Sequence, residues 1–251
     1  MELDLAGRKA VVAGGSRGIG RAIALAFVGA GAQVSICARG AAALEAARAE
    51  LSRAGRAVHA AACDLADAGA VGRYVAEAAN ALGGIDILVN NASGFGIGDD
   101  EAAWSAGIAV DVMSMVRASH AAIPHLERSS GASILHIASI SGLRPAARNP
   151  AYGAVKAAMI HYAATQAAML ARRGIRVNCI SPGSIEFPGG VWEERRLAAD
   201  PLYDRVRRDI PFGRLGTPQE VASVALFLSS EAARWVTGQN IVVDGGQLLG
   251  A

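Results

Sequence analysis

Tyr152 and Lys156 are the two residues whose types and spacing most clearly predict chemistry. They lie four positions apart in "YGAVK", within an alanine-rich stretch that is typical of a helix, so both side chains project from one helix face. A tyrosine in water titrates at about pH 10, and a nearby ammonium favours its phenolate form. The pair therefore predicts a group that exchanges a proton with a substrate oxygen near neutral pH.

The choice of lysine at position 156 supports this prediction. Of the 24 basic residues only two are lysine, Lys9 and Lys156, and all the others are arginine. An ammonium on a flexible stem can contact both a tyrosine and a ribose hydroxyl, which a planar guanidinium does less well. Ser139 ends the predicted strand "ILHIAS", where its hydroxyl would donate to a carbonyl oxygen as negative charge grows there. An ordinary strand-terminal serine is the alternative.

A glycine-rich turn, "AGGSRGIG", follows the first predicted strand and precedes the first helix. Its spacing is GxxxGxG rather than the more common GxGxxG. Glycines let a pyrophosphate approach the backbone, and the helix N-terminus supplies unpaired N–H groups and a partial positive charge. We therefore predict a dinucleotide site whose contacts from this turn are Gly14, Ser16, Arg17, Gly18, Ile19 and Gly20.

The charges around this turn indicate which dinucleotide binds. An acidic residue at the end of the second strand is typical of NAD sites, where it binds the ribose hydroxyl. Here that strand ends in "ICARG", without an acid, and supplies Arg39, while Arg17 lies in the turn itself. Two guanidinium groups suit the 2′-phosphate of NADP(H). The alternatives are that both arginines are solvated surface residues and that the cofactor is NAD(H).

Short β-branched runs alternate with alanine-rich helical patterns along the whole chain, which is typical of parallel βαβ units. The runs predict strands over 9–14, 32–39, 57–64, 86–92, 133–139, 175–183 and 238–246. Helices are predicted over 21–31, 41–55, 67–82, 101–128, 151–172 and 217–230. The sequence thus predicts an α/β fold: one doubly wound, Rossmann-like domain over 1–251, with a seven-stranded parallel sheet and helices on both faces. In such folds ligands bind beyond the C-terminal ends of the strands.

The composition argues against several other classes of protein. A formal net charge of +2 argues against nucleic acid as a partner. No apolar run reaches the roughly 18 to 20 residues of a membrane span. The N-terminal residues lack the basic and apolar regions of a signal peptide, so we expect a cytoplasmic protein. Three scattered cysteines predict reduced thiols, and the spacing of the five histidines predicts no metal site.

Taken together, these motifs resemble the classical short-chain dehydrogenase/reductase family. The resemblance runs from "AGGSRGIG" through "DILVNNAS", Ser139, "YGAVK" and "NCISPG" to "VTGQNIVVDGG". Within the family, the chain looks most like the 3-oxoacyl-(acyl carrier protein) reductases. The resemblance implies hydride transfer between NADP(H) and a small carbonyl or secondary-alcohol substrate, such as a 3-oxoacyl thioester or a related ketone. It also implies a homotetramer, with helices 101–128 and 151–172 and the C-terminal residues at the interfaces.

The same resemblance implies a role for each site residue. Tyr152 would be the general acid/base, Ser139 would polarise the carbonyl, and Lys156 would assist ionisation of the tyrosine and bind the nicotinamide ribose. The remaining cofactor contacts that it implies are Asp64 and Leu65 at the adenine, Asn90 and Ala92 in the cofactor groove, and Pro182, Gly183 and Ile185 beside the nicotinamide. Two alternative functions are an NAD-dependent sugar or secondary-alcohol dehydrogenase and an NADP(H)-binding protein without turnover.

The sequence departs from the family pattern at four positions. Ala13 replaces a threonine, Ser93 replaces the last glycine of NNAG, and Phe187 replaces a threonine near the nicotinamide. At the fourth, Asp111 replaces an asparagine whose backbone carbonyl serves a proton relay, and we include Asp111 among the catalytic residues. Its carboxylate either places negative charge near Lys156 and holds it protonated, or makes only a structural hydrogen bond.

Residues 184–216 show no sustained periodicity and match the substrate lid of the family. Phe187 and Trp192 would cover an apolar substrate. Five of the six arginines in this segment either bind an anionic substrate or form a solvated helix face interleaved with acidic residues. They are Arg195, Arg196, Arg205, Arg207 and Arg208.

Overall fold

Seven parallel strands form the central sheet of this computed structural model, which describes residues 3–250. They are β1 (Lys9–Ala13), β2 (Gln33–Ala38), β3 (Val58–Ala62), β4 (Ile87–Asn90), β5 (Ser133–Ile137), β6 (Arg176–Pro182) and β7 (Asn240–Val243). Their order across the sheet is β3-β2-β1-β4-β5-β6-β7. The order reverses between β1 and β4, which opens a crevice at their C-terminal ends. The predicted seven-stranded parallel sheet is confirmed.

Helices occupy most of the connections between these strands. They are α1 (Gly18–Gly29), α2 (Ala41–Ser52), α3 (Ala68–Leu82), α4 (Glu101–Gly107), α5 (Ser114–Leu126), α6 (Pro150–Leu170), α7 (Val191–Leu197), α8 (Pro201–Asp209) and α9 (Pro218–Ser229). A stretch of π-helix, Ile108–Met113, joins α4 to α5. Of the helices in the described part of the chain, none is both long and apolar enough to cross a membrane.

The helices pack on both faces of the sheet because successive strand residues point in opposite directions. Val11 of β1 packs in the layer that includes α3, α5 and α6, and Val12 packs in the layer that includes α1, α2 and α9. Tyr74 and Met159 fill the first layer, and Phe27 fills the second. All of these side chains are buried, so the prediction of a doubly wound fold is confirmed.

A buried polar network lies in the first layer, behind the end of β4. The side-chain amide of Asn90 donates to Nδ1 of His136 (3.1 Å), which leaves the Nε2–H of His136 to donate to Gln166 (3.0 Å). Burial lowers the pKa of His136 to about 4, so its ring is neutral at pH 7. The side chain of Asn90 therefore points into the core, and it is the Asn90 backbone that is placed to line the cofactor groove.

Two segments differ from the sequence-based expectation. Residues 184–216, for which no helix was predicted, contain α7 and α8, which are short and held by polar contacts. Asp200 accepts a hydrogen bond from the Leu202 N–H (2.9 Å) at the start of α8 and pairs with Arg195 at the end of α7. The single helix predicted over 101–128 is interrupted by the π-helix.

Candidate active site

The glycine turn lies at the C-terminal end of β1, where the strand order reverses. Gly14 (φ +78°) and Gly18 (φ +55°) adopt left-handed backbone conformations. A Cβ on Gly20 would lie 2.2 Å from the carbonyl oxygen of Gly14, so glycine is required for α1 to begin this close to the turn. The side chain of Asn91 donates to that oxygen (3.0 Å) and ties the turn to the end of β4. Asn91 was not among the predicted site residues, and its position directly after β4 is the signal that would have indicated it.

The start of α1 fits a dinucleotide phosphate. Arg17 occupies the N-cap position and makes no side-chain capping bond, so the first N–H groups of the helix have no side-chain partner there. Ser16 and Ile19 are partly exposed on either side of it. Arg39 is exposed at the end of β2, the strand next to β1. The predicted phosphate-binding turn, which includes Arg17, and Arg39 thus lie at the C-terminal ends of the neighbouring strands β1 and β2.

The other predicted cofactor residues lie at or just after the C-terminal ends of three further strands, β3, β4 and β6. They are Asp64, Leu65, Asn90, Ala92, Pro182, Gly183 and Ile185. Asp64 is exposed, whereas Leu65 and Ile185 are buried. Ala92 lies against the glycine turn, where an added Cβ on Gly14 would approach it to 3.1 Å. The crevice is therefore walled by backbone and small side chains, which suits a flat, extended ligand.

The three predicted reactive residues come together where α6 begins beside the end of β5. Lys156 donates to the carbonyl oxygen of Ile137 (3.1 Å), two residues before Ser139, and its Nζ lies 5.5 Å from the centre of the Tyr152 ring. The Tyr152 side chain is partly exposed, whereas Ser139 and Lys156 are buried. The hydroxyl of Ser139 accepts from the Ser141 N–H (3.1 Å), which leaves its own proton free to donate to a substrate.

A buried ion pair joins Lys156 to Asp111. The lysine Nζ and the aspartate Oδ1 are 2.9 Å apart, and their side chains are 2% and 0% exposed. The other carboxylate oxygen, Oδ2, accepts from the Gly94 N–H (2.8 Å). The sulfur of Met159 lies 3.6 Å from the same ammonium. Lys156 therefore contacts Asp111 directly, and Asp111 also makes the structural hydrogen bond that the sequence suggested as the alternative.

The charge of Asp111 keeps Lys156 protonated. Burial alone lowers the pKa of Lys156, but the charges and hydrogen bonding around it, those of Asp111 above all, outweigh burial and raise the pKa above its ordinary value. The result is a fixed positive charge beneath the ring of Tyr152. Asp111 lies in the π-helix Ile108–Met113, a type of helix that is often found at functional sites.

Phe187 of the lid lies over the glycine turn. A Cβ on Gly18 would be 2.7 Å from the tip of the Phe187 ring, and a Cβ on Gly190 would be 2.9 Å from it. The guanidinium of Arg17 donates to the carbonyl oxygen of Gly189 (3.4 Å), next to that ring. The lid is thus attached to the turn by one apolar and one polar contact.

The arginines of the lid pair mostly with lid acids. Arg195 pairs with Asp200, Arg196 with Glu186 and Arg207 with Asp204. The guanidinium of Arg195 also lies 5.8 Å from the centre of the Trp192 ring. These contacts favour the interpretation of a solvated, interleaved face over an anion-binding cluster.

Comparison with known proteins identifies the family. The model of the enoyl-(acyl carrier protein) reductase family matches residues 13–247. An isoepoxydon dehydrogenase of Penicillium expansum is 39% identical over 98% of this chain and 96% of its own length. The 3-oxoacyl-(acyl-carrier-protein) reductase FabG of Chlamydia pneumoniae is 37% identical over 98% of this chain and 99% of its own.

A solved structure of similar shape gives the same result. The L-sorbose reductase of Gluconobacter frateurii, solved with NADPH and L-sorbose, superposes with a TM-score of 0.92 at 33% identity and covers 99% of both chains. The family match spans nearly the whole sheet and both layers of helices. The chain therefore belongs to the short-chain dehydrogenase/reductase family, and it is an oxidoreductase of the kind that its glycine turn, Ser139, Tyr152 and Lys156 predict.

Proposed function

We propose that this protein is an NADP(H)-dependent oxidoreductase that transfers hydride between the nicotinamide and a small carbonyl or secondary-alcohol substrate. The observation that carries the proposal is the ammonium of Lys156, which is held by Asp111 and lies beneath the partly exposed ring of Tyr152. These residues lie at the C-terminal end of the strands, as the glycine turn does. The NADPH bound by the similar L-sorbose reductase supports the choice of cofactor.

Each reactive side chain has one task in this proposal. The bound cofactor supplies the hydride that reaches the carbonyl carbon. The hydroxyl of Tyr152 gives its proton to the carbonyl oxygen, and the free O–H of Ser139 donates to that oxygen as its charge develops. The ammonium of Lys156 stabilises the phenolate that remains, and Asp111 keeps that ammonium charged. In the oxidative direction the same phenolate accepts the alcohol proton.

The proposal is tested by NADPH oxidation across a panel of ketones, beside a titration of NADPH binding. We expect both binding and turnover. Binding without turnover of any ketone would contradict the proposal and favour the alternative of an NADP(H)-binding protein. Tighter binding of NADH than of NADPH, with turnover of sugars or secondary alcohols, would favour the NAD-dependent alternative.

Arg39 is expected to determine the preference for NADP(H). Replacing it with alanine removes a charge-assisted contact to the 2′-phosphate, so NADPH binding should weaken by about tenfold or more while NADH binding changes by less than about twofold. Fluorescence titration with each dinucleotide measures both. Arg56→Ala is the matched control. Arg56 is also exposed, but it precedes β3 and so lies at the N-terminal end of the strands, away from the predicted site. Equal losses for both dinucleotides would contradict the assignment of Arg39.

Replacing Asp111 with asparagine is expected to leave at least about a tenth of the activity and to move its alkaline limit to lower pH. Asparagine keeps the backbone carbonyl but removes the charge that opposes burial at Lys156. The pKa of Lys156 then falls, and the ammonium is lost at a lower pH than in the wild type. A profile of kcat/KM against pH measures the change. A loss of more than about a hundredfold at every pH would instead give Asp111 a catalytic role of its own.

We also propose that the chain assembles as a homotetramer in the cytoplasm. Support for assembly comes from α6, whose outer face carries the exposed residues Ala154, Ala157, Ala158, His161 and Met169. Small side chains on a long helix let a second copy approach closely. Leu249, near the C-terminus, is 88% exposed and adds an apolar contact. Light scattering tests the assembly, and the mass of a single chain would contradict it.

A further inference from the structure

Phe95 has a backbone conformation that a bulky residue rarely adopts. It follows β4 in "NNASGFG" and has φ of +47°, in the left-handed region that favours glycine. Its side chain is also 52% exposed, which is high for so large an apolar group. Backbone strain of this kind tends to be found at functional sites. Phe95 was not among the predicted site residues.

The neighbours of Phe95 fix its backbone against α4. A Cβ on Gly94 would lie 2.5 Å from the carbonyl oxygen of Ala106, and one on Gly96 would lie 2.2 Å from that of Ala103. The Gly94 N–H is held by Asp111 (2.8 Å). Both flanking residues are therefore pressed onto the helix, and the Phe95 side chain is the group of this tripeptide left to project from the segment.

Two departures from the family pattern hold this segment in place. Ser93 accepts a hydrogen bond from the Phe95 N–H (3.1 Å), and Asp111 accepts one from the adjacent Gly94 N–H. The glycine that Ser93 replaces has no side chain to make the first bond. The conformation of Phe95 is thus supported by the side chains of Ser93 and Asp111.

The ring of Phe95 lies beside that of Tyr152. The two ring centres are 6.5 Å apart, and the planes differ by 4°. Lys156 approaches the Tyr152 ring with its Nζ at 5.5 Å, but Lys156 is buried, whereas Phe95 is half-exposed at the mouth of the site. Ile97 and Leu143, in the loops after β4 and β5, are exposed apolar residues as well.

We infer that Phe95 is a specificity-determining residue that selects carbonyl substrates bearing a flat apolar group, aryl or conjugated, on the reacting carbon. The inference rests on the proposed function, since it places that carbon at the Tyr152 hydroxyl. A flat substituent on that carbon, oriented parallel to the two rings, would pack against the exposed face of Phe95. Parallel, offset packing of this kind is favourable for aromatic groups. A small substituent such as a methyl group leaves that face in water.

The test is a pair of α-keto esters that differ only beside the reacting carbonyl. Ethyl benzoylformate carries a phenyl group there, and ethyl pyruvate carries a methyl group. We expect Phe95→Ala and Phe95→Leu to lower the phenyl-to-methyl ratio of kcat/KM by about tenfold and about threefold, mainly through KM for the phenyl ester. Ser93→Ala should shift the ratio in the same direction by less. Phe227→Leu is the matched control, because Phe227 is 38% exposed but lies on α9, outside residues 184–216.

The outcomes separate this inference from the proposed function. A phenyl-to-methyl ratio within about twofold of wild type in both Phe95 variants, or an equal shift in Phe227→Leu, would overturn the role of Phe95. So would a wild-type enzyme that reduces other ketones but not the phenyl ester. A wild-type enzyme that binds NADPH and reduces no ketone would overturn the proposed function itself. Thermal unfolding and NADPH binding of each variant establish that it is folded.

Discussion

Replacing Tyr152 with phenylalanine is expected to lower kcat/KM for ketone reduction by about a thousandfold, in the range that a general acid contributes. The change removes the hydroxyl and keeps the ring, so the contact with Phe95 and the position of Lys156 are retained. NADPH binding should stay within about threefold of wild type, because the loss falls on the proton-transfer step. Steady-state kinetics and a binding titration measure the two effects separately.

A second tyrosine on the same helix provides the control. Tyr162 lies on α6, ten residues after Tyr152, and its hydroxyl accepts only a long bond (3.4 Å) from Gln166. Tyr162→Phe should keep kcat/KM within about threefold of wild type, since its hydroxyl takes no part in the proposed reaction. If Tyr152→Phe behaved in the same way, another group would have to supply the proton, and the assignment of Tyr152 would fail.

Replacing Lys156 with methionine is expected to destabilise the fold by about 3–5 kcal/mol and to abolish most activity. Methionine fills much of the lysine volume but leaves the fully buried carboxylate of Asp111 without its partner. Removing one partner of a buried ion pair is costly because the charge that remains is buried without compensation. Denaturant unfolding at neutral pH measures the loss of stability.

The double variant Asp111→Asn/Lys156→Met distinguishes the charge effect from a packing effect. It removes both charges, so we expect it to recover at least about 2 kcal/mol of the stability lost in Lys156→Met while activity stays low. Lys9→Met serves as the control, because Lys9 is the one other lysine and its ammonium bonds the exposed carbonyl of Gly83 (2.7 Å). Additive losses in the double variant would show that the two groups do not depend on each other.

The parts of the fold that depend on local patterns were predictable from the sequence. Most strands are short apolar runs rich in β-branched residues, and parallel βαβ units predict a doubly wound sheet. The glycine turn and the Tyr152–Lys156 spacing are local patterns as well. The fold class then predicts that both lie at the C-terminal ends of the strands, where ligands bind.

The parts that depend on distant contacts were not predictable. The contact of Asp111 with Lys156 joins residues far apart in the sequence, and apolar periodicity does not indicate the π-helix that carries Asp111. Helices α7 and α8 escaped prediction because they are short, with seven and nine residues, so neither shows a sustained periodicity. Phe95 was not predicted because its strained backbone conformation depends on contacts that the sequence does not show. Gly94 and Gly96 pack against α4, and the side chains of Ser93 and Asp111 accept hydrogen bonds from this segment.

The contacts between residues 187–190 and the glycine turn bear on how a dinucleotide would bind. The Phe187 ring lies against Gly18, and Arg17 donates to the carbonyl oxygen of Gly189. Both contacts are made to the turn at which we propose that the pyrophosphate binds, so we expect cofactor binding to shift the Phe187 ring away from Gly18.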